Sequence, residues 1–302
     1  MTSPWQPHSV VSEEYVDPAP VVALSALLDS GAAPIGSGDP LPPLWHWAAL
    51  ARWPASSALG VDGHPRRGSF LPPVDLPRRM FAGGELRVHQ PITVGSTVRR
   101  EARVVSVTPK TGRTGRLVVV VVQIRLYSGD GTLAVTERQE LIYREAAESH
   151  SGRSARPETT EPVGAPLRRQ REWEWELRTD PTVLMRFSAA TANPHRIHYD
   201  WPYATEIEGY PGLVVHGPLM TLALAETIRV ERPQQPVERM RHRNLAPLFC
   251  QTPARIRRRR DPDADLSLTL LSGDANRTTE HTVLTADFTV PGERTHAPRS
   301  HL

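Results

Sequence analysis

Apolar and polar positions divide this chain into two stretches of alternating strands separated by a polar gap. Residues 18–54 carry short helical patterns. One, over 20–28, is amphipathic and ends near Gly31; another covers 43–51. A Gly- and Pro-rich loop follows from Gly60 to Pro77. Period-two alternation then predicts strands over 86–92 and 97–107. Residues 117–127 are long and β-branched, the pattern of a central strand, and 133–143 form its partner across a Gly129-Asp130-Gly131 hairpin turn.

Residues 144–168 are rich in Ser, Glu, Arg and Pro, lack periodicity and read as a linker. The pattern then restarts with a strand over 173–177. A helix begins at Asp180-Pro181, with Asp180 as N-cap and Pro181 in the first turn. Residues 218–228 are apolar on nearly all sides, as expected of a buried helix, and strand-like stretches fill 238–290. The simplest architecture is α+β: a helix wrapped by an antiparallel sheet, occurring twice, with the first copy degenerate. The expected division is 1–145, a linker at 146–168, a second unit at 169–295 and a tail at 296–302.

Composition narrows the class. The 302 residues are 39% hydrophobic and 23% charged, enough for a sizeable core. Thirty prolines, about twice average usage, indicate many loops. No apolar run reaches the roughly 18 residues that span a bilayer. The start, Met1-Thr-Ser-Pro-Trp, lacks a basic or apolar leader, so the expected compartment is the cytoplasm. A single cysteine, Cys250, excludes an internal disulfide and a Cys-rich metal site. The basic run at 255–260 has no aromatic interleaving, and nucleic acid is not an expected partner.

Chemistry concentrates in two polar breaks. The first reads Phe187-Ser-Ala-Ala-Thr-Ala-Asn-Pro-His-Arg-Ile-His-Tyr-Asp. The second reads Tyr210-Pro-Gly-Leu-Val-Val-His-Gly-Pro-Leu and opens the apolar helix. Titratable groups beside a glycine-led helix start suit a site that moves protons and holds a carbonyl oxygen. Pro218 has no N–H, so the first usable amide at that helix start belongs to Gly217.

Together these strings resemble the MaoC-like double-hotdog acyl-thioester hydratases and dehydratases. That group includes mesaconyl-C4-CoA hydratases and the mitochondrial-type 3-hydroxyacyl-thioester dehydratases. The strings Gly63-His-Pro-Arg-Arg-Gly-Ser-Phe-Leu-Pro-Pro and Pro77-Arg-Arg-Met-Phe-Ala-Gly-Gly resemble the same family, and the likeness covers roughly residues 40–290. It implies a double hotdog fold. It also implies reversible hydration of an α,β-unsaturated acyl group on CoA or a carrier protein, by a monomer or homodimer, without metal or organic cofactor. A non-catalytic acyl-CoA-binding module is the alternative.

The wider group carries Asp-x-Asn-Pro-x-His as its catalytic pair. Here Thr191 stands at the Asp position, Arg196 where the His is expected, and a histidine arrives at His198 with the His-x-Asp pattern completed by Asp200. The catalytic candidates are His198 as base, Asn193 as orienter, Gly217 as oxyanion donor, and Thr191 and Asp200 in support. Thr191 suits local hydrogen bonding better than proton transfer, and Asp200 either orients His198 or caps the next turn. Arg196, His195, His216 and Tyr199 are the substrate-binding candidates; Arg196 suits a carboxylate or phosphate, or a structural ion pair.

Overall fold

A computed structural model describes residues 5–112, 115–146, 161–274 and 276–289. Among them, eleven strands form one continuous antiparallel sheet in the order β1-β3-β4-β5-β2-β8-β11-β10-β9-β7-β6. The N-terminal strands are β1 (Ser9–Tyr15), β2 (Arg78–Val88), β3 (Thr97–Gly112), β4 (Gly115–Tyr127) and β5 (Leu133–Arg144). The C-terminal strands are β6 (Leu167–Arg171), β7 (Glu174–Leu177), β8 (Val237–Asn244), β9 (Ala254–Arg259), β10 (Leu266–Gly273) and β11 (Thr278–Phe288).

Outward from the β2–β8 seam, one half runs β2-β5-β4-β3-β1 and the other β8-β11-β10-β9-β7, with β6 added at the far edge. The order of visits is the same in both. In each, an outer strand leads into a helix opened by an Asp-Pro pair. Asp17 caps α1 (Pro18–Leu28) through Ala19 N, and Asp180 caps α3 (Pro181–Ala190) through Val183 N. The helix that precedes the seam strand differs between the halves. α4 (Gly217–Glu231) runs fifteen residues and buries every residue from Leu219 to Ile228. Its counterpart α2 (His46–Ala49) is a single turn, shorter than the helix expected over 43–51. A buried carboxylate anchors it: Glu137 accepts from His46 Nε2 and Trp47 Nε1, both at 2.8 Å.

The two expected sheets therefore run into one another, and glycine makes the seam. A Cβ on Gly83 would lie 2.3 Å from His242 O, and one on Gly84 would lie 2.2 Å from Arg138 O. Only glycine lets β2 pair closely with both β5 and β8 here. A bulge between Phe81 and Gly83 accompanies the contact.

Strand β2 begins at Arg78 and ends at Val88, whereas alternation places a strand at 86–92. The Gly-Gly seam hides its first half from a periodicity reading, and the chain leaves the sheet before Pro91. Strand β1, unanticipated, pairs with β3 along its whole length. Strand β6 begins inside the expected 146–168 linker; residues 147–160 of that linker and the 296–302 tail lie outside the described residues. The 129–131 turn closes as expected, with Gly131 N donating to Ser128 O at 2.8 Å. Among the described residues no helix is long and apolar enough to cross a membrane.

Candidate active site

The two polar breaks are tied to each other. Helix α3 ends at Ala190 and is capped by Thr191, whose hydroxyl donates to Phe187 O at 2.7 Å. Ala192 takes φ 48°, which turns the chain, and Asn193 Oδ1 then accepts from His195 N at 3.2 Å. A 3-10 turn at Arg196–His198 delivers His198. From the second break, Val214 N donates to Ile197 O at 3.0 Å.

His198 is buried, and its Nδ1 lies 2.7 Å from Val214 O. A carbonyl only accepts, so Nδ1 carries the hydrogen and Nε2 keeps its lone pair. The His216 ring stacks on His198 with centroids 3.5 Å apart at 20°, and its Nε2 meets Ser188 Oγ at 2.8 Å. Burial, then the neighbouring His216 and His195, push His198 well below the usual histidine range. Burial, then His195, hold His216 near pKa about 3. Two neutral rings can stack this closely without charge repulsion.

A cavity of about 720 Å³ is lined by Thr191, Asn193, His195, His198 and Gly217 from the C-terminal half. Gly217 opens α4, and no described residue accepts from its N–H, so the amide remains available at the positive helix end. The seam sets its surroundings. Asn244 Nδ2 donates to Phe81 O at 3.0 Å and lies 2.7 Å from where a Gly217 Cβ would be.

Four candidates do not line the cavity. Arg196 binds Asp200 Oδ2 at 2.7 Å, donates to Val61 O at 3.0 Å, and stacks on Tyr203 at 4.3 Å. It forms the structural ion pair, its fork already filled. Asp200, besides that pair, accepts from Tyr203 N at 3.2 Å. It caps the following turn, and Val214 O, not Asp200, orients His198. Tyr199 is exposed and donates to Pro194 O at 3.0 Å. His216 sits behind His198 and braces it.

The N-terminal half supplies residues that motif reading of the C-terminal breaks missed. The 60–64 turn docks on the 193–196 loop: Arg196 N donates to Asp62 O at 3.0 Å. It places His64 on the cavity wall, ring centroid 4.4 Å from that of His195. His64 Nδ1 lies 3.4 Å from Asp62 Oδ2. Burial, reinforced by the Arg79 charge, lowers His64 to about 3. Burial raises Asp62, but the His64 hydrogen bonds outweigh it and bring the carboxyl to about 2. His195 Nε2 is buried without a hydrogen-bond partner, 3.8 Å from Glu208 Oε1. Asp62, His64 and His195 present ligand atoms within 4.8 Å of one another. That spacing suits a cation, which the positive Arg79 nearby opposes. His64 and Arg79 both lie in the strings that carry the family likeness, and that was the available signal.

The sequence profile of hydroxyacyl-thioester dehydratase type 2 matches residues 44–250. The mesaconyl-C(4)-CoA hydratase of Chloroflexus aurantiacus is 39% identical over 262 residues, 86% of this chain and 89% of that protein. The mitochondrial hydroxyacyl-thioester dehydratase type 2 of Schizosaccharomyces pombe is 28% identical, over 82% of this chain and 89% of its own. Among solved structures, a MaoC-like dehydratase superposes with TM-score 0.64 at 14% identity, over 95% of this chain and 98% of that one. A Mycobacterium tuberculosis protein described as a double hotdog superposes with TM-score 0.53 at 12% identity, over 95% and 97%. These structures share the double hotdog fold with the eleven-stranded sheet described above. The chain belongs to the hydroxyacyl-thioester dehydratase type 2 family.

Proposed function

We propose that this protein catalyses the reversible addition of water across the α,β double bond of an acyl thioester, with CoA as the carrier. One observation supports this above others. His198, with an unprotonated Nε2, and Gly217, with an unengaged N–H, border the same cavity.

In the hydration direction, His198 Nε2 takes a proton from water as the oxygen bonds to Cβ. The π pair moves toward Cα and the thioester oxygen becomes enolate-like. The Gly217 N–H donates to that oxygen, an interaction typically worth about 3 kcal/mol in the transition state. Asn193 has its Oδ1 committed to His195 N, so its amide N–H groups are the ones free to orient water or the thioester. We assign proton delivery at Cα to His195. Its Nε2 is unpartnered, and its ring lies 5.5 Å from that of His198, so the proton held by His198 has a short return route. Thr191 closes α3, and Arg196, Asp200, Tyr199 and His216 hold the loop.

The two halves, 1–145 and 169–295, are read as copies of one unit in which the first has lost its long helix and contributes cavity wall instead. Incubation with crotonyl-CoA or mesaconyl-C4-CoA, followed by absorbance of the conjugated thioester, tests the activity. Loss of the signal is the expected result. A ligand bound but unchanged would leave a binding module in place of an enzyme.

A further inference from the structure

The chain after the histidine loop inverts the usual order of inside and outside. Ile207 is 69% exposed, while Glu208 beside it is 5% exposed. The cause is local. Residues Tyr203–Ile207 form a π turn, closed by Glu208 N donating to Tyr203 O at 3.0 Å. The widened turn leaves Ile207 in water and Glu208 inside. Single π turns recur at functional sites. Burying a carboxylate is costly, and a segment that served packing alone would bury the isoleucine instead.

Glu208 is held from the other half of the chain. Arg78 Nε, at the start of β2, donates to Glu208 Oε2 at 3.1 Å, and the Arg78 guanidinium lies 4.8 Å from the Tyr210 ring centroid. That pair occupies one oxygen. The other, Oε1, has no hydrogen bond among the described residues and lies 3.8 Å from His195 Nε2. The separation is wider than a hydrogen bond and within ion-pair reach. His195 Nε2 is buried and lacks a partner, a state that is rare in a finished fold. A proton on Nε2, drawn toward Oε1, completes both atoms.

The other titratable groups facing His195 do not offer this. His64 from the 60–64 turn, His198 on the same loop and His216 before α4 would oppose a charge on it. Asp62 is committed to His64 N and Nδ1. Arg78, Tyr203 and Tyr210 stand behind Glu208. Glu208 is the carboxylate that remains. His195 borders the cavity with Nε2 buried, so Nδ1 is the nitrogen open to a ligand.

We infer that Glu208 is a positioning residue for proton transfer at Cα: its carboxylate holds the Nε2–H of His195, so that Nδ1 carries and delivers the Cα proton. This rests on the acyl-thioester reading above and deepens it. In the hydration direction the Nδ1–H bond of the imidazolium breaks and the proton bonds to Cα, using the electron pair of the enolate. His195 is left neutral, its remaining proton on Nε2 toward Glu208. His198, protonated by the attacking water, returns that proton to His195 and closes the cycle. A base oriented by a third group is a recurrent catalytic arrangement.

NMR titration of the histidines in the intact protein tests the coupling, with the His195 signal identified by its loss in His195→Gln. In Glu208→Gln the His195 midpoint should fall by about 1–3 pH units, the usual effect of removing one nearby opposite charge. In the unaltered protein the isotope-labelled carboxyl carbon of Glu208 should shift at the His195 midpoint; this decides the matter if Glu208→Gln does not fold. An unmoved midpoint, or a carboxyl carbon that does not respond to it, overturns the proposal. With crotonyl-CoA, Glu208→Gln should lower kcat about 10²-fold and leave KM unchanged, because Glu208 stands behind His195 and outside the cavity wall. Glu208→Asp should restore part of the rate. Unaltered kcat in Glu208→Gln also overturns the proposal. Because the midpoint is read without turnover, a protein that shows the shift yet hydrates no enoyl-CoA would count against the hydratase reading alone.

Discussion

A Cβ on Gly63 would sit 2.0 Å from Pro194 O, so the N-terminal turn and the histidine loop touch where only glycine fits. Gly63 also takes φ +90°, a conformation that costs other residues about 1–2 kcal/mol. Gly63→Ala should therefore displace the 60–64 turn and, with it, His64 and Asp62. We expect a loss of at least ~2 kcal/mol in urea denaturation together with a marked fall in kcat. A variant with unaltered stability and turnover would show that the two halves do not need this contact.

His198→Ala should lower kcat by about 10²–10⁴-fold, the range for a lost general base, with a native circular dichroism spectrum. His216→Ala removes a ring that braces His198 without reaching the cavity, and its effect on kcat should be smaller. Near-unaltered turnover in His198→Ala would transfer the base role to His195, which borders the same cavity.

Local patterns in the sequence carry much of the C-terminal half of the site. Asp180-Pro181 is a self-contained capping signal, and in residues 218–228 only Thr221, Glu226 and Thr227 interrupt the apolar run. The cross-half contacts have no such local signature. His64 and Arg79 lie more than a hundred residues from His195, and their roles depend on the β2–β8 seam that Gly83 and Gly84 permit. Asp200 shows the opposite limit. Its spacing from His198 matches a catalytic pattern, but Arg196, four residues earlier, lies on the same side of the turn and takes the carboxylate. Sequence spacing does not decide between two neighbours competing for one acceptor.

Gly217 is constrained from two sides. It lines the cavity with its amide unbonded among the described residues, and a Cβ would meet Asn244 Nδ2 at 2.7 Å. Gly217→Ala keeps the N–H but collides with an Asn244 side chain held by Phe81 O and Thr282 Oγ1. We expect about a 10²–10³-fold loss of kcat, comparable to removing an oxyanion donor. Adding Asn244→Ala should recover part of it, because the collision partner is gone while the amide remains. A double variant no better than Gly217→Ala would mean that Cβ obstructs the thioester itself.

The buried histidines also set an acid limit. In the folded protein His64 and His216 have pKa values of about 3, and His198 lies well below its ordinary value. In an unfolded chain all three would protonate near pH 6.5. Between those values the unfolded state binds more protons, so stability falls as pH drops below 6.5 and is unaffected by these groups above it. Each histidine contributes a slope of up to ~1.4 kcal/mol per pH unit in that window. Urea midpoints should thus be level from pH 8 to 7 and decline steeply from 6 to 5. Activity should behave differently. His198 acts while neutral and remains so well below pH 6.5, so kcat/KM should show no acid limb centred there while the protein stays folded. An acid limb at 6.5 without loss of folded protein would mean that His198 titrates as an exposed histidine, contrary to its burial and to its bond with Val214 O.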